Sequence, residues 1–198
     1  MTTNNLEMER IGMMRKVVTV GATVPLVAAM NVALAQSQGF DVTANVENAC
    51  EILSVNDLNF GDYEPIGANE TVALRRQAVL QIRCVAGSEP SLELNDGSNS
   101  QDGTVATRRM AGTTDNSVLA DYDIFLPDGT APNSPCTSYQ DLWGNGSNGG
   151  NPLQADVIND IAFREYNLCG EMPAGQDISA QAYTDTVTLT VTFDTGGS

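Results

Sequence analysis

The stretch TVTLTVTF, residues 186–193, decides the fold. Val187, Leu189, Val191 and Phe193 fall on one side of an extended chain, and Thr186, Thr188, Thr190 and Thr192 fall on the other. That period of two belongs to a half-buried β-strand and fits no helix face. β-Branched threonines on the wet side and large apolar groups on the dry side strengthen the sheet preference. The strand ends close to Ser198, so no later strand is expected to pair with it.

Working outward, the same alternation recurs in short runs separated by Gly, Asn, Asp and Pro. TVALRRQAVLQIRCV (71–85) puts Ala78, Leu80, Ile82 and Cys84 on one face, and PSLELNDGSN (90–99) is a strand stopped by Asn95-Asp96-Gly97. TVATRRM (104–110) and VLADYDIFLPDG (118–129) read as further strands, and ILSVNDLNFGDYEPIG (52–67) holds a short apolar piece between turns. From Ala131 to about Ile161 the chain turns polar and glycine-rich around GNGSNGGNP (144–152), which reads as a long surface loop. The fold expected is all-β, with about six strands after Cys50 where an immunoglobulin-like sandwich needs about seven.

One strand pattern stands apart, ahead of the first cysteine. In GFDVTANVENAC (39–50), Phe40, Val42, Ala44 and Val46 alternate with Asp41, Thr43, Asn45 and Glu47. So near an end, such a strand either pairs within its own molecule or is handed to another.

Residues 1–35 read as a secretory signal, with Arg15-Lys16, the apolar run VVTVGATVPLVAAMNVALA and the small residues Ala33 and Ala35 before Gln36. Cleavage there leaves six arginines, no lysine and 23 acidic residues, a formal charge of −17 that repels nucleic acid and anionic lipid. No later segment could span a membrane as a helix. Histidine is absent, which removes the commonest general base and metal ligand. A serine nucleophile would therefore lack its base, and lysine is missing from the exported part too. The pairs Asp121 with Asp123 and Asp156 with Asp160 read as solvated faces, and LNDGSNSQDG (94–103) as a hairpin turn without the spacing of a calcium loop. No catalytic residue, metal site or cofactor is expected.

Cys50, Cys84, Cys136 and Cys169 make an even count in an exported chain, which favours disulfides. Of three connectivities, Cys50 with Cys84 and Cys136 with Cys169 is favoured, because each joins neighbouring segments and the second closes the polar insertion. Trp143, beside the glycine-rich loop, either packs under it or stacks on a sugar, and packing is favoured.

Four motifs in order resemble one family: LNFGDYEP (58–65), VLQIRCVAGSEPSLELNDG (79–97), RRMAGTTDNSVLADYDIF (108–125) and CGEMPAGQDISAQAYTDTVTLTVTF (169–193). They resemble the spore coat protein U domain family, which includes subunits of archaic, Csu-type chaperone-usher pili. The resemblance implies an incomplete immunoglobulin-like sandwich whose seventh strand is supplied in trans. It divides the chain into a signal peptide at 1–35, a donor-strand extension at 36–48 and the domain at 49–198. It implies a donor strand of Phe40, Val42, Ala44 and Val46, and an acceptor groove along Val187, Leu189, Val191 and Phe193. The partners implied are a periplasmic pilus chaperone, an outer-membrane usher and other copies or related pilus subunits, with a passage through the periplasm to the cell surface. Two other functions remain open at this point: a secreted coat or matrix protein with a self-completed sandwich, and a carbohydrate-binding module built on Trp143.

Overall fold

The computed structural model describes residues 38–193. The expected signal at 1–35, with Gln36, and the closing DTGGS at 194–198 lie outside the described residues. The chain divides into two units, Met1–Thr43 and Ala44–Ser198. The described part of the first, 38–43, has no regular secondary structure, and its Phe40 and Val42 side chains are exposed. The strands described below belong to the second unit.

That unit is all-β, with ten strands and a single 3-10 turn among the described residues. β1 (Cys50–Val55), β2 (Leu74–Cys84), β6 (Asp123–Phe125) and β8 (Phe163–Met172) form a sheet in the order β1-β2-β8-β6. β2 and β8 pair antiparallel from Leu74↔Met172 to Arg83↔Phe163. The dry face of β2 is the one its alternation gives: Ala78, Leu80, Ile82 and Cys84 are buried. A second sheet is ordered β10 (Leu189–Phe193), β3 (Pro90–Leu94), β7 (Leu153–Gln154). A third, small one is ordered β5 (Leu119–Asp121), β4 (Arg109–Gly112), β9 (Tyr183–Thr184). One continuous core joins them, with Leu80, Ile82, Leu92, Ala120, Trp143 and Tyr166 at its most buried points.

Two strand expectations shift. In TVATRRM the first residues form the 3-10 turn Val105–Thr107, and only Arg109 onward is strand. VLADYDIF breaks at Tyr122 into β5 and β6, which belong to different sheets. The break has a bond of its own, since the Tyr122 N–H donates to the Arg108 carbonyl at 3.2 Å rather than continuing a ladder.

The larger correction concerns 131–161, which is no loose surface loop. Segment 127–139 is fixed to β8: Cys136 is bonded to Cys169, the Asn133 N–H donates to the Glu165 carbonyl at 2.8 Å, and Asn167 Nδ2 donates to the Ser134 carbonyl at 2.8 Å. Residues 141–143 then extend the first sheet past β6, with Trp143 N–H on the Ile124 carbonyl and Leu126 N–H on the Asp141 carbonyl, both at 2.8 Å. The glycines allow a tight return. A Cβ on Gly150 would meet Val105 Cγ2 at 2.7 Å and the Gly144 nitrogen at 2.8 Å, so only glycine lets these two backbones approach.

The return delivers bonding groups to the edge of β3 away from β10. The Leu92 carbonyl accepts the Trp143 indole N–H at 2.8 Å, the Leu94 carbonyl accepts Asn148 Nδ2 at 3.0 Å, the Leu94 N–H reaches the Gly144 carbonyl at 3.2 Å, and the Pro90 carbonyl accepts the Ala155 N–H at 3.0 Å. Side chains and loop backbone thus do the work of a further strand. On this side the two sheets are sewn together.

Candidate functional site

The other side is open. β1 and β10 each stand at the end of their sheet and pair on one edge only among the described residues: β1 with β2, and β10 with β3. A free edge presents a row of unused N–H and C=O groups, which is a template for another strand. The side chains there are apolar and half-covered, with Ile52 41% and Val55 47% exposed on β1, and Val187, Leu189, Val191 and Phe193 half-buried along the last strand.

Beside these edges lies a cleft of about 1440 Å³. One wall is 55–66, running on from β1, and the other is 177–187 with Leu189, running into β10. Its floor is the core itself: Leu80, Ile124, Leu168 and Met172 from the first sheet, with Leu94, Met110 and Tyr122 opposite. Of the groove residues expected from sequence, Val187 and Leu189 line this cleft; Val191 packs on the core and Phe193 lies at the end of the strand. The wall at 55–66 and the floor were not in that expectation. Their signal was present in the apolar Leu58, Phe60 and Tyr63, whose irregular spacing hides them from a search for alternation.

Each wall is held by its own polar clasp. In LNFGDYEP, Phe60 is buried edge-on against Tyr122, with centroids 6.2 Å apart, and Gly61 has φ +72°. The Tyr63 hydroxyl donates to the Pro173 carbonyl at 2.7 Å and accepts the Gln176 N–H at 3.1 Å. Leu58 lies over Gly170, where a Cβ would come within 2.6 Å of Leu58 Cδ2. In the opposite wall, the Gln176 amide accepts the Asp121 N–H at 2.7 Å and donates to the Asp121 carbonyl at 3.0 Å. Asp185 accepts from the Tyr122 hydroxyl at 2.6 Å, the Ser98 N–H at 2.9 Å and Asn99 Nδ2 at 2.8 Å. Burial, together with the bond to Asp185, holds the Tyr122 hydroxyl well above its ordinary range. The turn at 94–103 is thereby tied to the wall of the cleft, while its Asp102 carboxylate is taken by the hydroxyls of Thr104 and Thr107.

Cys50 is bonded to Cys84 directly across the β1–β2 ladder, and Cys136 to Cys169. These are the two pairs favoured from chain neighbourhood. Of the carboxylates considered for chemistry, Asp160 pairs with Arg164 at 2.9 Å and Asp156 accepts the Thr130 hydroxyl at 2.9 Å. Asp123 sits opposite Glu171 in the β6–β8 ladder, and burial, then that like charge, pushes its carboxyl up to about 6. Trp143 has no exposed surface, so the sugar-stacking reading is corrected: no ring face is available to a glycan. Arg108, 1% exposed, donates to the carbonyls of Asn95 and Trp143. No helix among the described residues is long and apolar enough to cross a membrane.

Residues 36–190 match the family described as the Spore Coat Protein U domain. "Protein U" of Myxococcus xanthus is 31% identical over 164 residues, covering 76% of this chain and 80% of the relative. A crystal structure of the CsuC-CsuE chaperone-tip adhesion subunit pre-assembly complex, from archaic chaperone-usher Csu pili of Acinetobacter baumannii, is similar at TM-score 0.48 and 26% identity. The match covers 74% of this chain and 40% of that one.

Proposed function

This chain belongs to the Spore Coat Protein U domain family, and on that premise we propose that it is a non-catalytic structural subunit of a surface fimbria, built into its fibre by donor-strand exchange. The observation that carries the reading is the cleft of about 1440 Å³ floored by the core and flanked by two strand ends with free edges. In this account a periplasmic chaperone first lends a strand to the cleft, at the usher the extension of an incoming subunit replaces it, and the chain leaves the periplasm as part of the fibre, serving adhesion or biofilm formation. Main-chain hydrogen bonds supply affinity and alternate side chains enter the groove.

The extension at 36–48 is the donor, with Phe40, Val42, Ala44 and Val46 entering a neighbour and Val187, Leu189, Val191 and Phe193 forming the receiving side. Val46 is 74% exposed and residues 38–49 form no strand, which supports a segment awaiting a ladder. Burying Phe40, Val42 and Val46 contributes roughly 1.5–3 kcal/mol each, and each ladder bond about 0.5–1.5 kcal/mol net. Together these rival the whole stability of an ordinary domain, about 5–15 kcal/mol, so an unfilled subunit is marginal and needs a lender.

Co-expression of the secreted chain with its chaperone tests this. A variant lacking residues 36–47 should still be recovered with the chaperone and should be missing from heat-labile ladders of polymer. Ladders undiminished by the deletion, or a wild-type chain that purifies as a stable monomer with the cleft closed by its own extension, would overturn the proposal in favour of a coat or matrix protein.

A further inference from the structure

The cleft has a charge as well as a shape. Among the described residues its lining includes five acids, Asp57, Asp62, Glu64, Asp177 and Asp185, and no arginine or lysine. Asp57, Asp62, Glu64 and Asp177 are exposed at the rim, while Asp185 is held by Tyr122, Ser98 and Asn99. The apolar floor therefore asks for an alternating strand, and the rim asks for that strand's wet face to carry positive charge.

The chain's own extension does not meet the second demand. Its wet positions are Asp41, Thr43, Asn45 and Glu47, two acids and no base, and it is carried by a body with six arginines against 23 acids beyond residue 35. Docking one copy on another brings like charge to like charge, both at the rim and over the whole surface. Resting on the reading of the cleft as a strand acceptor, we propose that its preferred occupant is a strand of a different protein, apolar on one face and basic on the other. Copy-to-copy exchange is the weaker pairing, and it strengthens as salt screens the repulsion.

The test uses three synthetic strands and the full exported chain. The first is residues 36–48 as they stand. The second carries Asp41→Lys and Glu47→Lys, which reverses the wet face and leaves the apolar face intact. The third carries Phe40→Ser and Val42→Ser, which removes the apolar anchors and keeps the charge. Binding is measured at about 0.01 M salt, where the Debye length is roughly 30 Å, and at about 1 M, where it is roughly 3 Å. The lysine strand should bind at least about tenfold more tightly than the native one at low salt, and within about twofold of it at high salt. The serine strand should bind at neither. Equal affinity of the native and lysine strands at low salt overturns this inference and leaves the strand-acceptor reading standing. Failure of every strand at high salt overturns both.

Discussion

At the scale of single residues, one enclosed and one half-buried polar group define what the body tolerates. Trp143 is fully enclosed and its indole N–H satisfies the Leu92 carbonyl. Trp143→Phe keeps an aromatic ring but removes that bond from a carbonyl that still faces Leu153 in the β3–β7 ladder, so denaturant unfolding should show a loss of about 0.5–1.5 kcal/mol. Asp123 behaves in the opposite sense. Its carboxyl is pushed up to about 6 in the folded protein from an ordinary value of 3.8, first by burial and then by Glu171. A folded-state value above the unfolded one favours the protonated form, so this group's contribution is intact below about 4 and is lost as pH rises through about 6. Asp123→Asn should therefore raise the melting temperature at neutral pH, by about 1 kcal/mol of stability once the side chain's partial exposure is discounted. The gain should vanish near pH 4 in paired thermal melts. An equal gain at both would assign the effect to packing.

At the scale of elements, β1 decides whether the cleft has a firm edge. It is an edge strand with a register shift between Ile52 and Ser54, exposed along most of its length, and the Cys50–Cys84 bond fixes its start to β2. Replacing both cysteines by serine reopens a link across a sequence separation of 34 and should cost about 3–4 kcal/mol. Uptake of a strand should weaken in parallel, as read by the rise in melting temperature that a bound strand gives. How far the sequence revealed these elements depends on how each earns its place. β2 and β10 were legible because alternation and burial are one signal there: Leu80 and Ile82 are buried and Thr190 and Thr192 are exposed. The walls and the insertion were not, because hydrogen bonds position them. Tyr63, Gln176 and Asp185 act through a hydroxyl, an amide and a carboxylate across long sequence separations, and composition has no period for that. The glycine-rich run looked like a loop because glycine marks turns. Here it marks two backbones in close approach, with Trp143 carried into the core beside them.

At the scale of the whole molecule, the two sides of the sandwich differ. One seam, from β6 to β3, is sewn by 141–155 through backbone and the Trp143 and Asn148 side chains. The opposite side keeps two free edges above an apolar floor. In the proposed account, one such cleft per body gives a chain of subunits instead of a branched aggregate. The most direct test is hydrogen exchange on the full exported chain, alone and with the 36–48 strand added at high salt. The account predicts that the outward, unpaired edge amides within 51–63 and 183–193 exchange fast alone and become protected when the strand is present, while those of Leu92 and Leu94 on the sewn side stay slow throughout. Slow exchange at those edge amides before any strand is added, or no change on its addition, would contradict it.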